Sequence, residues 1–149
     1  MSDLDRSNYT TDSPELRDLN AGVVAEFRAN EGKVGGPFEG GSLLLLHTTG
    51  AKSGEPRLHP LAYVPIDGRM FIVGSYAGGP KNPAWVHNLR VNPAAHIEVG
   101  ADAYDVVARE LPRGERDDAF ARIVAVAPFF GEYQKQTDRI IPLFELTRI

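Results

Sequence analysis

In the stretch Arg57–Tyr76, RLHPLAYVPIDGRMFIVGSY, two extended runs flank the dipeptide Asp67-Gly68. An Asp-Gly pair between two such runs favours a two-residue hairpin turn, since both positions tolerate a positive φ angle. Pro60 and Pro65 exclude a helix over the first run and restrict it to edge or bulge positions of a sheet. We therefore predict a β-hairpin over this stretch.

Further strand signals lie on both sides of this hairpin. The apolar run SLLLLHTT precedes it, and the runs AAHIEVG and AYDVVARELP predict a second hairpin around Gly100. A final strand, IIPLFELTRI, follows a polar connector that contains Tyr133. Roughly six short, mostly antiparallel strands predict a small barrel or a strongly curved sheet with helices at its rim.

Three or four helices are predicted between these strands. Ser13 is the expected N-cap and Pro14 the first residue of a helix that ends near Asn30. A second helix has Asn82 as its expected N-cap and Pro83 as its first residue, and a third covers GERDDAFARIVAVAP. Residues 1–12 are predicted to form a flexible tail, and residues 13–149 a single domain.

Composition excludes several classes of site. The chain has no cysteine, which excludes disulfides, thiolate catalysis and cysteine-ligated metals, and its four histidines lack metal-ligand spacing. No apolar run approaches the ~20 residues that span a bilayer. The polar, acidic start is unlike a signal peptide. A net charge of -4 argues against general nucleic-acid binding. The absence of cysteine fits a cytoplasmic protein, which is what we expect.

The segment His47–Arg57, HTTGAKSGEPR, gathers glycines, hydroxyl groups and two cations into one loop. Its glycines let backbone N–H groups converge, while Lys52 and Arg57 add positive charge. Binding of a small anion is one interpretation, and a hairpin loop with solvated charges is the other. It is not a Walker A loop, because Glu55-Pro56 leads into a strand rather than a helix.

A second glycine-rich loop, GSYAGGPKNPAW, runs from Gly74 to Trp85 into a helix. The free N–H groups of a helix N-terminus, with Lys81 beside them, favour an anion. Trp85 either lies against a flat ligand or packs in the core. Between residues 47 and 92 there are five basic residues and two acidic ones. The two loops therefore fit one elongated ligand with a flat head and an acidic tail.

Three motifs carry a family resemblance: TTGAKSGEPR followed by PLAYV, then GGPKNPAWVHNLRVNP, then YQKQTDRIIPLFEL. With AEFRANEGKVGG, they resemble the deazaflavin-dependent nitroreductase family of actinobacteria, from about Asn20 to Ile149. The resemblance implies a mainly β, α+β fold, the split β-barrel of FMN-binding flavin reductases. The cofactor it implies is coenzyme F-420, an 8-hydroxy-5-deazaflavin with a phospholactyl–oligoglutamate tail.

The resemblance also implies which residues bind. Lys52, Arg57 and Lys81 match the family's cations at the acidic tail, and Ala51 stands where the family commonly has arginine, which implies one tail contact fewer. Tyr133 is the candidate for acceptor binding or protonation, the alternative being that its ring only packs. No metal ligand is expected. The predicted cofactor-binding residues are Thr49, Lys52, Ser53, Gly54, Arg57, His59, Pro60, Ser75, Tyr76, Ala77, Gly78, Lys81, Trp85 and Asn88.

The implied reaction is hydride transfer from reduced coenzyme F-420 to a quinone-like acceptor, with nitroaromatic compounds as adventitious acceptors. Two alternatives stay open: an FMN-binding reductase on the same barrel, and a non-catalytic protein that binds the deazaflavin. The expected partner is a small electron acceptor and not a nucleic acid. Contact with the inner face of the membrane, and the choice between monomer and dimer, also stay open.

Overall fold

The computed structural model describes residues 14–30 and 43–149, apart from the side chains of residues 14–20 and 77. The predictions of a flexible tail over residues 1–12 and of Ser13 as an N-cap lie outside the described residues. The helices are α1 Pro14–Ala29, α2 Ala84–Val91, α3 Arg113–Val126 and α4 Phe129–Lys135, with a 3₁₀ turn at Tyr76–Gly78. The strands are β1 Leu43–Thr49, β2 Pro56–Ile66, β3 Arg69–Val73, β4 Ala94–Val99, β5 Asp102–Glu110 and β6 Leu143–Arg148.

The six strands of the described residues form a closed antiparallel barrel in the order β1-β2-β3-β6-β5-β4. The final strand β6 enters between β3 and β5, with Phe71 opposite Glu145 and Ala108 opposite Leu146. The pairing of β1 with β4, Leu46 opposite Ile97, closes the other side. This confirms the predicted small barrel.

Both predicted hairpins are present. Asp67 and Gly68 have φ angles of 51° and 77°, which is the two-residue geometry that Asp-Gly favours. Val99 pairs with Asp102 around Gly100, whose φ is 59°. One boundary differs, because β3 ends at Val73 and residues 74–76 are not part of the strand.

The long strand β2 accommodates its two prolines by changing partner along its length. Residues 56–62 pair with β1 and residues 63–66 pair with β3. Pro60 is opposite Leu45 and Pro65 is opposite Met70. In the described ladders each half of β2 is therefore paired on one side, which is the edge-like position that proline requires.

The four leucines that open β1 are all buried, because the two faces of the strand pack against different layers. Leu44 and Leu46 point into the barrel, where they join Ile97 and Phe144. Leu43 and Leu45 point outward and are covered by Val23 and Phe27 of α1. Burying a leucine side chain stabilises a fold by about 1.5–3 kcal/mol, so the leucines of β1 stabilise both the barrel and the packing of α1 on it.

Two helix predictions are wrong in detail. Helix α2 begins at Ala84 with Pro83 as N-cap, because the Asn82 side chain accepts a hydrogen bond from Arg139 Nη1 at 2.7 Å instead of capping the helix. Tyr133 lies in α4 and not in a connector, because Phe130 packs this short helix against α3. In the part of the chain that the structure describes, no helix is long and apolar enough to cross a membrane.

Candidate functional site

A cleft of about 980 Å³ opens between α1, the β1–β2 loop and α2. Its wall combines small apolar side chains from α1, charged and polar groups from the loop, and the cleft-facing side of α2. The lining residues are Ala21, Val24, Ala25, Arg28, Gly50, Ala51, Lys52, Ser53, Glu55, Arg57, Leu58, His59, Ala84, His87 and Asn88. A cleft of this size is large enough for a cofactor-sized ligand.

Asn88 of α2 fixes the β1–β2 loop to the helix. Its side chain is 5% exposed, and its Oδ1 accepts a hydrogen bond from the Ala51 N–H at 2.9 Å. Its Nδ2 donates to Thr48 Oγ1 at 3.0 Å, and Thr48 Oγ1 also lies 3.1 Å from His59 Nε2. Buried polar groups that satisfy one another in this way hold a single arrangement of the loop.

His59 is neutral at physiological pH in this environment. Burial is the main reason that its pKa falls from 6.5 to about 4, and the nearby charges of Arg57 and His47 contribute to the same shift. A neutral imidazole presents one donor and one acceptor, so His59 bonds Thr48 without adding a charge to the cleft.

The β1–β2 loop is tightly wound. The Gly50 N–H donates to Glu55 O at 2.8 Å, and the Gly54 N–H donates to Gly50 O at 3.0 Å. A Cβ on Gly50 would lie 2.5 Å from Ser53 Oγ, and Gly54 has a φ of 70°. The positive φ favours glycine at position 54, and a side chain at position 50 would require the Ser53 hydroxyl to move.

The cations of this loop differ in how they are paired. Arg57 reaches Glu55 at 3.4 Å and donates to Ser53 Oγ at 3.3 Å, both at the exposed surface. Lys52 is exposed and has no ion pair or hydrogen bond among residues 14–30 and 43–149. An exposed ion pair such as Arg57–Glu55 contributes little free energy. Lys52 and Arg57 are therefore both available to an anionic ligand.

Helix α1 supplies a wall of the cleft that the sequence analysis missed. Ala21, Val24, Ala25 and Arg28 line it, and their spacing of i, i+3, i+4 and i+7 is that of one helix face. That spacing was visible in the sequence, but the apolar face used by Val23 and Phe27 dominates the pattern.

An ion pair fixes this wall to the barrel. Arg28 donates to both carboxylate oxygens of Glu98, at 3.2 and 2.8 Å. Glu98 also lies 2.6 Å from His47 Nε2. The hydrogen bond from Arg28 is the main reason that the pKa of Glu98 falls to about 2.

The second glycine-rich loop, residues 74–82, leads into the N-terminus of α2. Arg139 donates hydrogen bonds to several oxygens of this loop. Tyr76 has a positive φ of 47°, and its buried hydroxyl has no hydrogen-bond partner among the described residues. Lys81 is exposed, and no ion pair to it is found in the described part of the chain.

The structure brings part of the predicted set together. Lys52, Ser53, Arg57, His59 and Asn88 line the cleft, while Thr49, Gly54 and Pro60 adjoin these residues in sequence. Residues 75, 76, 78 and 81 belong to the second loop and do not line the cleft.

The two predicted aromatic residues are both packed. Trp85 is 6% exposed and makes an edge contact with Phe144 in the barrel core, with ring centroids 5.7 Å apart. This is the packing alternative of the sequence analysis. Tyr133 is half-buried beside Phe129 and Phe130, with ring centroids 5.8 and 6.1 Å away. Neither aromatic ring lines the cleft.

Comparison with known proteins places this architecture in a family. Residues 21–148 match the family described as "F420H(2)-dependent quinone reductase". The matched range includes the barrel, α1 from Ala21 onward and the cleft. The chain belongs to this family.

Individual members support the assignment. The quinone reductase Rv1261c of Mycobacterium tuberculosis H37Rv is 38% identical over 130 residues, 83% of this chain and 86% of the relative. The solved structure of an F420-H2 dependent reductase, FDR-A, is 39% identical with a TM-score of 0.63 and covers 71% of this chain and 94% of that one. A structure described as a domain-swapped dimer has the same identity and TM-score, with coverages of 71% and 80%. The fold and the implied split barrel are confirmed.

Proposed function

We propose that this protein binds coenzyme F-420 with its acidic tail in the cleft and transfers hydride from the reduced cofactor to a quinone. The observation that carries the proposal is the cation-lined cleft, with Lys52 unpaired within the described residues, in a member of a quinone reductase family that uses this cofactor. Unpaired charge in a concave site is typical of a binding site for a charged ligand.

The donor groups of the chain fit the chemistry of this cofactor. Carboxylates and phosphate need cations and N–H donors, and Lys52 and Arg57 provide them at the cleft. Ala84, the first residue of α2, also lines the cleft, so the positive end of the helix dipole faces the same space. The buried, unpartnered hydroxyl of Tyr76 leaves a further donor on the loop that precedes α2.

The residues of this chain bind, orient and exclude water, while the bound reduced cofactor supplies the hydride. Lys52 and Arg57 hold the tail, and Asn88 keeps the loop that carries them in one arrangement. Helix α1 forms one wall of the cleft, with Ala21, Val24 and Ala25 as its apolar part. Trp85 acts from the core by fixing α2 against the barrel.

We assign Tyr133 to the acceptor side. Its helix α4 packs against the 3₁₀ turn at Tyr76–Gly78, so it lies beside the second loop and away from the tail-binding loop. A phenol in this position can donate a hydrogen bond or a proton to a quinone oxygen.

The experiment that tests the proposal is a titration of the purified protein with coenzyme F-420 and, in parallel, with FMN. We expect F-420 to bind more tightly and its affinity to fall with added salt, because exposed cations hold the tail. A preference for FMN would contradict the proposal. Tight F-420 binding with no turnover on any quinone would support the non-catalytic alternative.

Two lysine variants locate the tail. Lys52→Ala should weaken F-420 binding about tenfold or more, since a hydrogen bond to a charged group contributes about 1.5–3 kcal/mol. The matched control is Lys135→Ala, because Lys135 is exposed on α4 and already pairs with Glu132 at 3.2 Å. Equal affinities for the two variants would move the tail away from the β1–β2 loop.

Nitroaromatic turnover and a dimeric state are further proposals. A nitroaromatic compound offered in place of the quinone should accept hydride more slowly, which an absorbance assay of cofactor oxidation measures.

Light scattering of the purified protein distinguishes monomer from dimer, and the domain-swapped relative makes the dimer worth testing. Membrane-surface contact is tested separately by sedimentation with quinone-containing vesicles.

A further inference from the structure

Arg139 lies in the segment between α4 and β6, and its guanidinium is surrounded by oxygens of the loop 74–82. Nε donates to Gly79 O at 3.0 Å, and Nη2 donates to Ser75 O at 2.7 Å. Nη1 donates to both Gly74 O and Asn82 Oδ1, at 3.0 and 2.7 Å. One side chain therefore binds the start, the middle and the end of the loop.

The loop needs an external donor because its own hydrogen bonds are few. The Gly78 N–H donates to Ser75 O at 2.9 Å, and the Gly79 N–H donates to Tyr76 O at 3.0 Å. Tyr76 lies in the left-handed region with a φ of 47°, a conformation that is unfavourable for a non-glycine residue. Carbonyl groups that face one another around this turn repel unless a donor lies between them, and Arg139 is that donor.

The surroundings of Arg139 differ from those of the other arginines that bridge two elements. Arg28 and Arg69 each bind a carboxylate in a bidentate pair. Arg139 binds oxygens of neutral groups and has no carboxylate partner among the described residues. Burial of the guanidinium lowers its pKa. Placing a cation without a carboxylate partner in a half-buried site is unfavourable. We take its hydrogen bonds to the loop as the reason that the cation is present there.

The segment that carries Arg139 is itself fixed to α3 and α4. Gln134 Nε2 donates to Arg139 O at 2.7 Å, and Gln134 Oε1 accepts from Arg116 Nη2 at 2.7 Å. Arg116 also donates to Ile141 O at 2.9 Å. The guanidinium of Arg139 therefore joins the loop to a rigid frame that includes the helix of Tyr133.

We propose that Arg139 is a positioning residue for hydride transfer, which holds the loop 74–82 in the conformation that binds the cofactor and sets it against α4. The inference rests on the proposed function and adds a residue that contacts neither the cleft nor the acceptor. Without Arg139, the loop that carries Tyr76 and Lys81 loses its fixed backbone conformation, so both cofactor affinity and the geometry of transfer are affected.

The test compares Arg139→Ala and Arg139→Lys with Arg69→Ala as the matched control. Arg69 lies on β3, the strand that leads into the loop, but its guanidinium binds Glu145 on the outside of the barrel. For Arg139→Ala we expect the KM for reduced coenzyme F-420 to rise about tenfold or more, because several charge-assisted hydrogen bonds are lost. We expect kcat to fall as well. Arg139→Lys should recover little, since an ammonium cannot reach acceptors in three directions.

Chemical rescue separates positioning from general loss of stability. Guanidinium ion at millimolar concentration should restore part of the activity of Arg139→Ala and leave Arg69→Ala and the parent unchanged. Parent-like kinetics for Arg139→Ala would overturn the inference. The absence of rescue in an Arg139→Ala variant that remains folded would overturn it too.

A measurement without cofactor keeps the inference distinct from the proposed function. Hydrogen exchange of the Gly78 and Gly79 amides should be faster in Arg139→Ala than in the parent, while exchange in the barrel strands stays the same. If the parent fails to bind F-420, the proposed function fails, and the exchange data still decide whether Arg139 holds the loop. Unchanged exchange at both glycines would contradict that role.

Discussion

The lowered pKa of His59 predicts a specific loss of stability in acid. The folded protein has a pKa of about 4 at this group, whereas the unfolded chain has the ordinary value of 6.5. Below pH 6.5 the unfolded state therefore takes up a proton that the folded state refuses, and the free energy of unfolding falls as the pH falls toward 4. Each unit of pKa difference corresponds to about 1.4 kcal/mol. The titration of His59 therefore makes the free energy of unfolding about 3 kcal/mol lower at pH 4 than at pH 7.

The variant His59→Gln isolates this effect. Glutamine keeps a hydrogen-bonding group near Thr48 Oγ1 but does not titrate. Urea unfolding followed by circular dichroism at pH 7 and pH 4 gives four free energies. Between pH 7 and pH 4 we expect the free energy of unfolding of the parent to fall by about 3 kcal/mol more than that of His59→Gln. Carboxylates such as Glu98 titrate in both proteins and cancel in the difference. Equal losses in both proteins would refute the buried, neutral state of His59.

Three further substitutions test the site and its support. Tyr133→Phe should lower kcat for quinone reduction more than it changes F-420 affinity, and unchanged turnover would limit Tyr133 to packing. Trp85→Ala should destabilise the protein by about 3–5 kcal/mol, because it empties a buried position in the barrel core, and thermal unfolding measures this loss. Gly74→Ala should destabilise by about 1–3 kcal/mol, since its Cβ would lie 2.8 Å from Pro142 and 2.9 Å from Val86. A Gly74→Ala protein as stable as the parent in urea would show that this contact relaxes freely.

The turns and strands could be predicted from sequence because their signals are local. Asp67-Gly68 and Gly100 have the positive φ angles that their residue types favour, and the apolar runs beside them became strands. Closure of the barrel is less local, because β6 must find β3 and β5 far along the chain. The spacing of the hairpins predicted a barrel, but the order of the strands around it could be read only from the structure.

The errors arose where a distant side chain overrode a local preference. Asn82 is a good N-cap by residue type, but Arg139, 57 residues away, takes its side-chain oxygen. The prediction for Trp85 left two alternatives, and packing against Phe144 favours the core. The cleft contribution of α1 was missed because residues 21, 24, 25 and 28 are mostly small, and small side chains give a weak periodic signal.

The position of β6 between β3 and β5 has a consequence for synthesis on the ribosome. In the finished barrel β6 covers one edge of β3 and one edge of β5, so we expect these two edges to be exposed until residues 143–148 emerge. Exposed edges pair readily with other chains, so the nascent protein passes through a stage that is prone to aggregation. The insertion of Leu143–Arg148 removes both edges in one step. Premature termination or proteolysis before Leu143 should therefore yield aggregation-prone fragments rather than a smaller folded barrel.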